Sequence, residues 1–148
     1  MRRDATQPAS HDDLMERVLE SENMRRAWKR VKANKGAPGI DGMGIEDFAE
    51  FARSSLPAIR QALRDGTYRP KPVRRVSIPK PNGGERLLGI PTVMDRVIQQ
   101  AIAQVLGPIF DPGFSDSSFG FRPGRSAHGA LRRVQAHIGE GYRIAVDF

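Results

Sequence analysis

Between Arg69 and Ile90 the chain carries Arg69, Lys71, Arg74, Arg75, Lys80 and Arg86 against a single acid, Glu85. Lys80 and Arg86 bracket the turn-forming run Pro81-Asn82-Gly83-Gly84. Two cations around one tight turn, on an arm that can extend over a site, suit a triphosphate, with Arg supplying a planar fork of donors and Lys a compact point charge. The remaining cations suit backbone phosphates, which position a nucleic acid without reading its sequence. Ordinary solvated loop charge is the alternative for all of them. Two further segments carry similar chemistry. The stretch Asn34-Lys35-Gly36-Ala37-Pro38-Gly39-Ile40-Asp41-Gly42 can turn successive backbone N–H groups toward an anion, or can simply be a turn. Arg122 and Arg125 flank Pro123-Gly124, where structural bonding of Arg122 to buried carbonyls fits. Asp147 is the only acid in the segment Arg143–Phe148, and one carboxylate does not make a two-metal centre.

The elements that must position these residues are readable from spacing. Asp12 or Asp13 can cap a short helix bearing Leu14, Met15, Val18 and Leu19. Ser21 reads as the N-cap of a second helix with Met24, Ala27, Trp28 and Val31 on its apolar face and Arg25, Arg26, Lys29, Arg30 and Lys32 on the other. After the Gly-rich loop, Ile45, Phe48, Phe51 and Ala52 suggest one short helix. Leu56, Ile59 and Leu63 suggest another, closed at Gly66. Val73–Ile78 and Arg86–Ile90 read as two strands joined through Asn82-Gly83, a strong hairpin turn. Thr92 caps the clearest helix, with Asp95 placed for a capping box. Its rows Val93, Val97, Ala101, Val105 and Met94, Ile98, Ile102, Leu106 predict deep burial, broader than the partners in so short a chain can cover. Gly107 and Pro108 should stop it. An irregular stretch over Ile109–Gly124, a helix capped by Ser126 and bearing Leu131, Val134 and Ile138, and a strand beginning at Arg143 complete the reading.

The bulk numbers agree with a polyanionic partner. The chain has 148 residues, a net charge of +7 and a pI near 10.5, a balance that favours nucleic acid over an anionic membrane; a basic domain with no polyanion is the competing reading. No cysteine is present, which excludes disulfides and cysteine-ligated metals. His11, His128 and His137 do not form a ligand cluster, and no apolar run has membrane-spanning length. The N-terminus lacks the pattern of a signal peptide, so the expected location is the bacterial cytoplasm.

Four stretches together resemble one family. Tyr68 to Lys80 (YRPKPVRRVSIPK) and Arg86 to Gln100 (RLLGIPTVMDRVIQQ) resemble the first conserved block of group II intron-encoded reverse transcriptases. Asn34–Gly42 resembles the extra N-terminal block that these enzymes share with non-LTR retroelement polymerases. Ser118 to His128 (SFGFRPGRSAH) resembles their second block, and Tyr142–Phe148 the opening of the third.

The resemblance implies an α+β chain: the helix-rich fingers subdomain of a right-hand polymerase with a β-hairpin, truncated at the first palm strand. Residues 1–12 would be a disordered tail, 13–66 the N-terminal helices with the Gly-rich loop, and 67–148 the fingers hairpin, helices and start of the palm. It also implies an RNA-directed DNA polymerase using Mg²⁺ in the full-length parent. Its partners would be an RNA template, a DNA primer, deoxynucleoside triphosphates and intron RNA. Lys80 and Arg86 would face the incoming nucleotide. Lys35, Arg69, Lys71, Arg74, Arg75, Arg122 and Arg125 would hold nucleic acid. Asp147 would be either the acid two residues before the catalytic Asp or the metal ligand itself. The competing function is a non-catalytic, maturase-like module that grips intron RNA.

Overall fold

The structure is a computed structural model that describes residues 11–147. Most of the expected tail, 1–10, lies outside the described residues, as does Phe148. The elements are α1 (His11–Leu19), α2 (Ser21–Ala33), α3 (Phe48–Arg64), β1 (Arg74–Pro79), β2 (Glu85–Ile90), α4 (Val93–Phe110), a 3₁₀ turn (Asp111–Gly113) and α5 (Ala127–Gly139). The chain is therefore α+β, with one two-stranded antiparallel sheet. It divides into a first unit ending at Leu106 and a second spanning Gly107–Phe148.

The core of the first unit is built from one face of each helix. Val18, Met24, Ala27, Val31, Ile45 and Phe48 pack with Val93, Met94, Val97, Ile98, Ala101 and Val105. Burying apolar side chains of this size contributes roughly 1.5–3 kcal/mol each, which explains why α4 needs no exceptional helix propensity. The Trp28 ring lies against Phe48 with centroids 4.4 Å apart. Asn23 sits inside this core. The Asn23 amide donates to the carbonyls of Val18 (2.9 Å) and Ala101 (3.1 Å) and receives Gln104 Nε2 (2.7 Å), so its burial is compensated. The broad stripe of α4 is thus covered within the unit, against the expectation that it would lack partners.

Several expected boundaries move. α1 begins at His11 and already includes Asp12 and Asp13, whose side chains lie outside the described residues. Ser21 is the first residue of α2; its hydroxyl makes no cap and instead receives Arg60 Nη2 at 3.2 Å. The two helices expected over 45–63 are one helix, α3, with Pro57 inside it. A proline removes a single helical hydrogen bond. The continuous face of Phe48, Phe51, Ala52, Leu56, Ile59 and Leu63 packs on the core and outweighs that loss. Gly66 follows α3 at φ +66°. Its N–H donates to Leu63 and that of Thr67 to Ala62, the Schellman arrangement that a glycine permits. α4 runs through Gly107 and Pro108 to Phe110, because a proline this close to the C-terminus frees only the Gln104 carbonyl. Arg143–Asp147 joins no ladder: a strand needs a hydrogen-bonded neighbour, and none is present among the described residues.

Candidate nucleic-acid interface

The hairpin pairs Arg74 with Ile90, Val76 with Leu88 and Ile78 with Arg86. Alternation puts these six on one face and Arg75, Ser77, Leu87 and Gly89 on the other. Gly89 has no room for a side chain, since a Cβ there would stand 2.8 Å from Val73 Cγ2. The turn is closed by Lys80 N–H to Gly84 O (3.0 Å) and Gly83 N–H to Lys80 O (3.2 Å), with Gly83 and Gly84 at φ +83° and +82°. Lys80 and Arg86 thereby line one concavity with Ile78, Asn82 and Leu88. Both are exposed, and neither they nor Arg75 makes an ion pair or side-chain hydrogen bond among the described residues.

The other hairpin cations are engaged. Arg74 Nε donates to Pro38 O at 2.9 Å, and Lys71 Nζ lies 3.5 Å from Asp41 Oδ2. Arg69 makes only long contacts, 3.4 Å, to the carbonyls of Gly66 and Tyr68. Arg74 and Lys71 tie the hairpin to the Gly-rich loop, and a third cation completes the attachment: Arg96 Nη2 donates to Ala37 O at 2.9 Å. Gly39 lies so close to the start of α4 that a Cβ would stand 2.6 Å from Thr92 Cα. Lys35 adopts φ +46° at the end of α2 with its side chain exposed.

Asp95 is the hub that residue spacing only partly revealed. It is 3% exposed. Thr92 Oγ1 accepts from the Asp95 N–H (3.1 Å), as a cap should, but the Asp95 carboxylate does not return to the Thr92 backbone. It accepts from the Thr92 hydroxyl (2.6 Å), the Tyr68 hydroxyl (2.7 Å) and the Lys71 N–H (3.3 Å). Burial, followed by the hydrogen bond to Asp95, pushes the Tyr68 phenol well above its usual range. The carboxylate thus fixes the segment leading into β1 against the first turn of α4. Asp95 and Arg96 are the only charged residues of α4, and that isolation in an otherwise apolar and amide helix was the available sequence signal for both.

In the second unit, Arg122 spends its guanidinium on its own loop. Nε donates to Asp111 Oδ1 (2.7 Å), Nη2 to Asp111 O (2.9 Å), and Nη1 to the carbonyls of Ser115 (2.8 Å) and Ser118 (3.0 Å). Its hydrogen bond holds the Asp111 carboxyl below the ordinary carboxylate range. The geometry favours the structural alternative for Arg122. Arg125 donates to Asp116 O (2.8 Å) and lies over the Phe119 ring. Ser126 caps α5 through Gly129 N–H at 3.1 Å.

Asp147 is exposed. Among the described residues no three His, Asp or Glu side chains converge to hold a metal ion. No described helix is long and apolar enough to cross a membrane.

No protein-family model matches the chain. It is 38% identical over 127 residues to Protein YkfC of Escherichia coli K12, covering 84% of this chain and 33% of that protein. It is 44% identical over 115 residues to the group II intron-encoded protein LtrA of Lactococcus lactis, covering 76% and 19%. A shorter match, 44% over 44 residues, joins it to the mitochondrial Nuclear intron maturase 2 of Arabidopsis thaliana, covering 30% and 6%. The chain thus spans a third or less of the length of these relatives. The stretches that carried the motif resemblance lie in a sequence of matching descent: the chain is related to the group II intron-encoded proteins and intron maturases.

Proposed function

We propose that this chain is the part of a group II intron-type RNA-directed DNA polymerase that holds the template and the incoming nucleotide, built as the fingers of a right-hand polymerase. The carrying observation is the division of the hairpin cations. Arg74 and Lys71 are used to seat the Gly-rich loop, whereas Lys80 and Arg86 stay unpaired among the described residues, on one concavity. Lys80 and Arg86 are assigned to the triphosphate, and Lys35, Arg69 and Arg75 to template phosphates. Lys71 and Arg74 shape that surface, and Arg125 is assigned to nucleic acid within the second unit alone. An RNA template, a DNA primer, deoxynucleoside triphosphates and intron RNA are the implied partners, with Mg²⁺ supplied at carboxylates other than a described cluster.

The test is steady-state kinetics in a full-length parent carrying Lys80→Ala or Arg86→Ala. Each change removes a charged hydrogen bond of about 1.5–3 kcal/mol, so kcat/KM for the nucleotide should fall roughly ten- to hundredfold, with template affinity much less affected. Unchanged nucleotide kinetics in both variants would return these cations to ordinary loop charge. A second reading, a non-catalytic grip on intron RNA, draws on the exposed basic face of α2 (Arg25, Lys29, Arg30, Lys32). It is favoured if those cations, and not Lys35, Arg69 or Arg75, control RNA affinity.

A further inference from the structure

A separate cleft opens where the C-terminal end of α2 meets the middle of α4. It is lined by Val31, Asn34, Arg96, Gln99, Gln100 and Ala103, with a volume of about 370 Å³, inside the roughly 300–1,000 Å³ range of small-ligand clefts. The four α4 residues follow i, i+3, i+4, i+7 spacing, so they share one helix face. Three of the six are side-chain amides. Asn34 and Gln99 make no side-chain hydrogen bond among the described residues, and Gln100 uses only its Nε2, toward Gln104 Oε1 at 3.4 Å. Arg96 is held by Nη2 to Ala37 O, while its Nε is buried with no acceptor among the described residues. No acid lines the cleft, and the exposed cations Lys32 and Lys35 adjoin it in sequence.

We propose that this cleft receives one unstacked base of single-stranded RNA; this rests on the RNA-binding reading above and adds a base-contacting site to it. The donor set makes the choice. Each amide offers a donor and an acceptor side by side, which matches the edge of a base. A phosphate, being an acceptor only, would engage the amide N–H₂ groups and leave their oxygens without a donor, whereas a base edge uses both. Val31 and Ala103 supply apolar contact for the base faces, and Lys32 and Lys35 suit the flanking phosphates.

The experiment measures binding of the whole chain to a short fluorescein-labelled single-stranded RNA and to copies with one abasic site moved along it. For the wild type, one abasic position should weaken binding by roughly tenfold, the scale of losing one base contact. Asn34→Ala/Gln99→Ala should weaken binding of the intact RNA by a similar factor and lose sensitivity to that abasic site. Its salt dependence should be unchanged, because no phosphate-contacting cation is removed. Both residues are exposed, so the thermal melt should not move. A flat abasic scan, or a double variant as sensitive to the abasic site as the wild type, overturns the proposal. Arg69→Ala/Arg75→Ala separates it from the reading beneath it: a reduced salt slope with abasic sensitivity intact supports both. Failure of the wild type to bind RNA at all overturns both together.

Discussion

A buried carboxylate that accepts from three donors loses an acceptor when it becomes an amide. Asp95→Asn keeps the shape but turns one acceptor into a donor that faces Thr92, Tyr68 or the Lys71 N–H. Leaving one buried polar group unpaired costs about 1–3 kcal/mol, so urea unfolding should lose stability on that scale; an unchanged midpoint would show that the hub is not needed. Tyr68 gives the same contact a pH signature. Its folded pKa is raised, so the contribution is complete below the ordinary tyrosine value of about 10 and is lost as pH rises through the folded value. A tyrosinate absorbance titration should contain a late component that Tyr68→Phe removes. At this scale the sequence was legible in placing Lys80 and Arg86 around one turn; their role is a proposal. It was mute where partners come from distant positions: nothing in the spacing links Tyr68 to Asp95, and only Thr92 was near enough in sequence to suggest the cap.

At the scale of elements, the Gly-rich loop is held by close backbone approach. A Cβ on Gly39 would meet the Thr92 backbone at 2.6–2.7 Å, and backbone cannot step aside as a side-chain tip can. Gly39→Ala should therefore cost about 1–3 kcal/mol, as overpacking does, and increase amide exchange of the loop in the same measurement. Exchange and stability equal to wild type would mean the loop is not seated this way. The composition of 34–42 announced irregular structure, yet it could not say against what the loop packs. The helices show the complementary lesson. α2, α4 and α5 were legible from apolar periodicity, and the hairpin from Asn82-Gly83. The extent of α3 was not, because Pro57 and the paired serines before it punctuate the sequence while one continuous buried face decides the structure. The closing strand was misread for a related reason: β-branched residues favour extended backbone, but pairing decides whether a strand exists.

At the scale of the molecule, the two units differ in how they spend their apolar residues. The first closes a core. In the second, Leu131, Val134 and Ile138 of α5, together with Tyr142, Ile144 and Val146, are at least half exposed, and α5 buries no residue. Its loop over 111–122 is tied by polar bonding around Arg122 and Asp111, a pattern invisible to hydrophobic periodicity.

Lys35, Arg69 and Arg75 of the first unit are proposed to hold RNA by its phosphates. Equilibrium binding of the chain to single-stranded RNA, followed over a salt series, tests it most directly. The expected result is a linear fall of log K with log salt. The slope should become shallower by about 0.7 for each phosphate contact removed in Lys35→Ala/Arg69→Ala/Arg75→Ala, roughly two for all three, while Lys80→Ala, assigned to the nucleotide, leaves it unchanged. A binding constant indifferent to salt, or a triple variant with the wild-type slope, would contradict it.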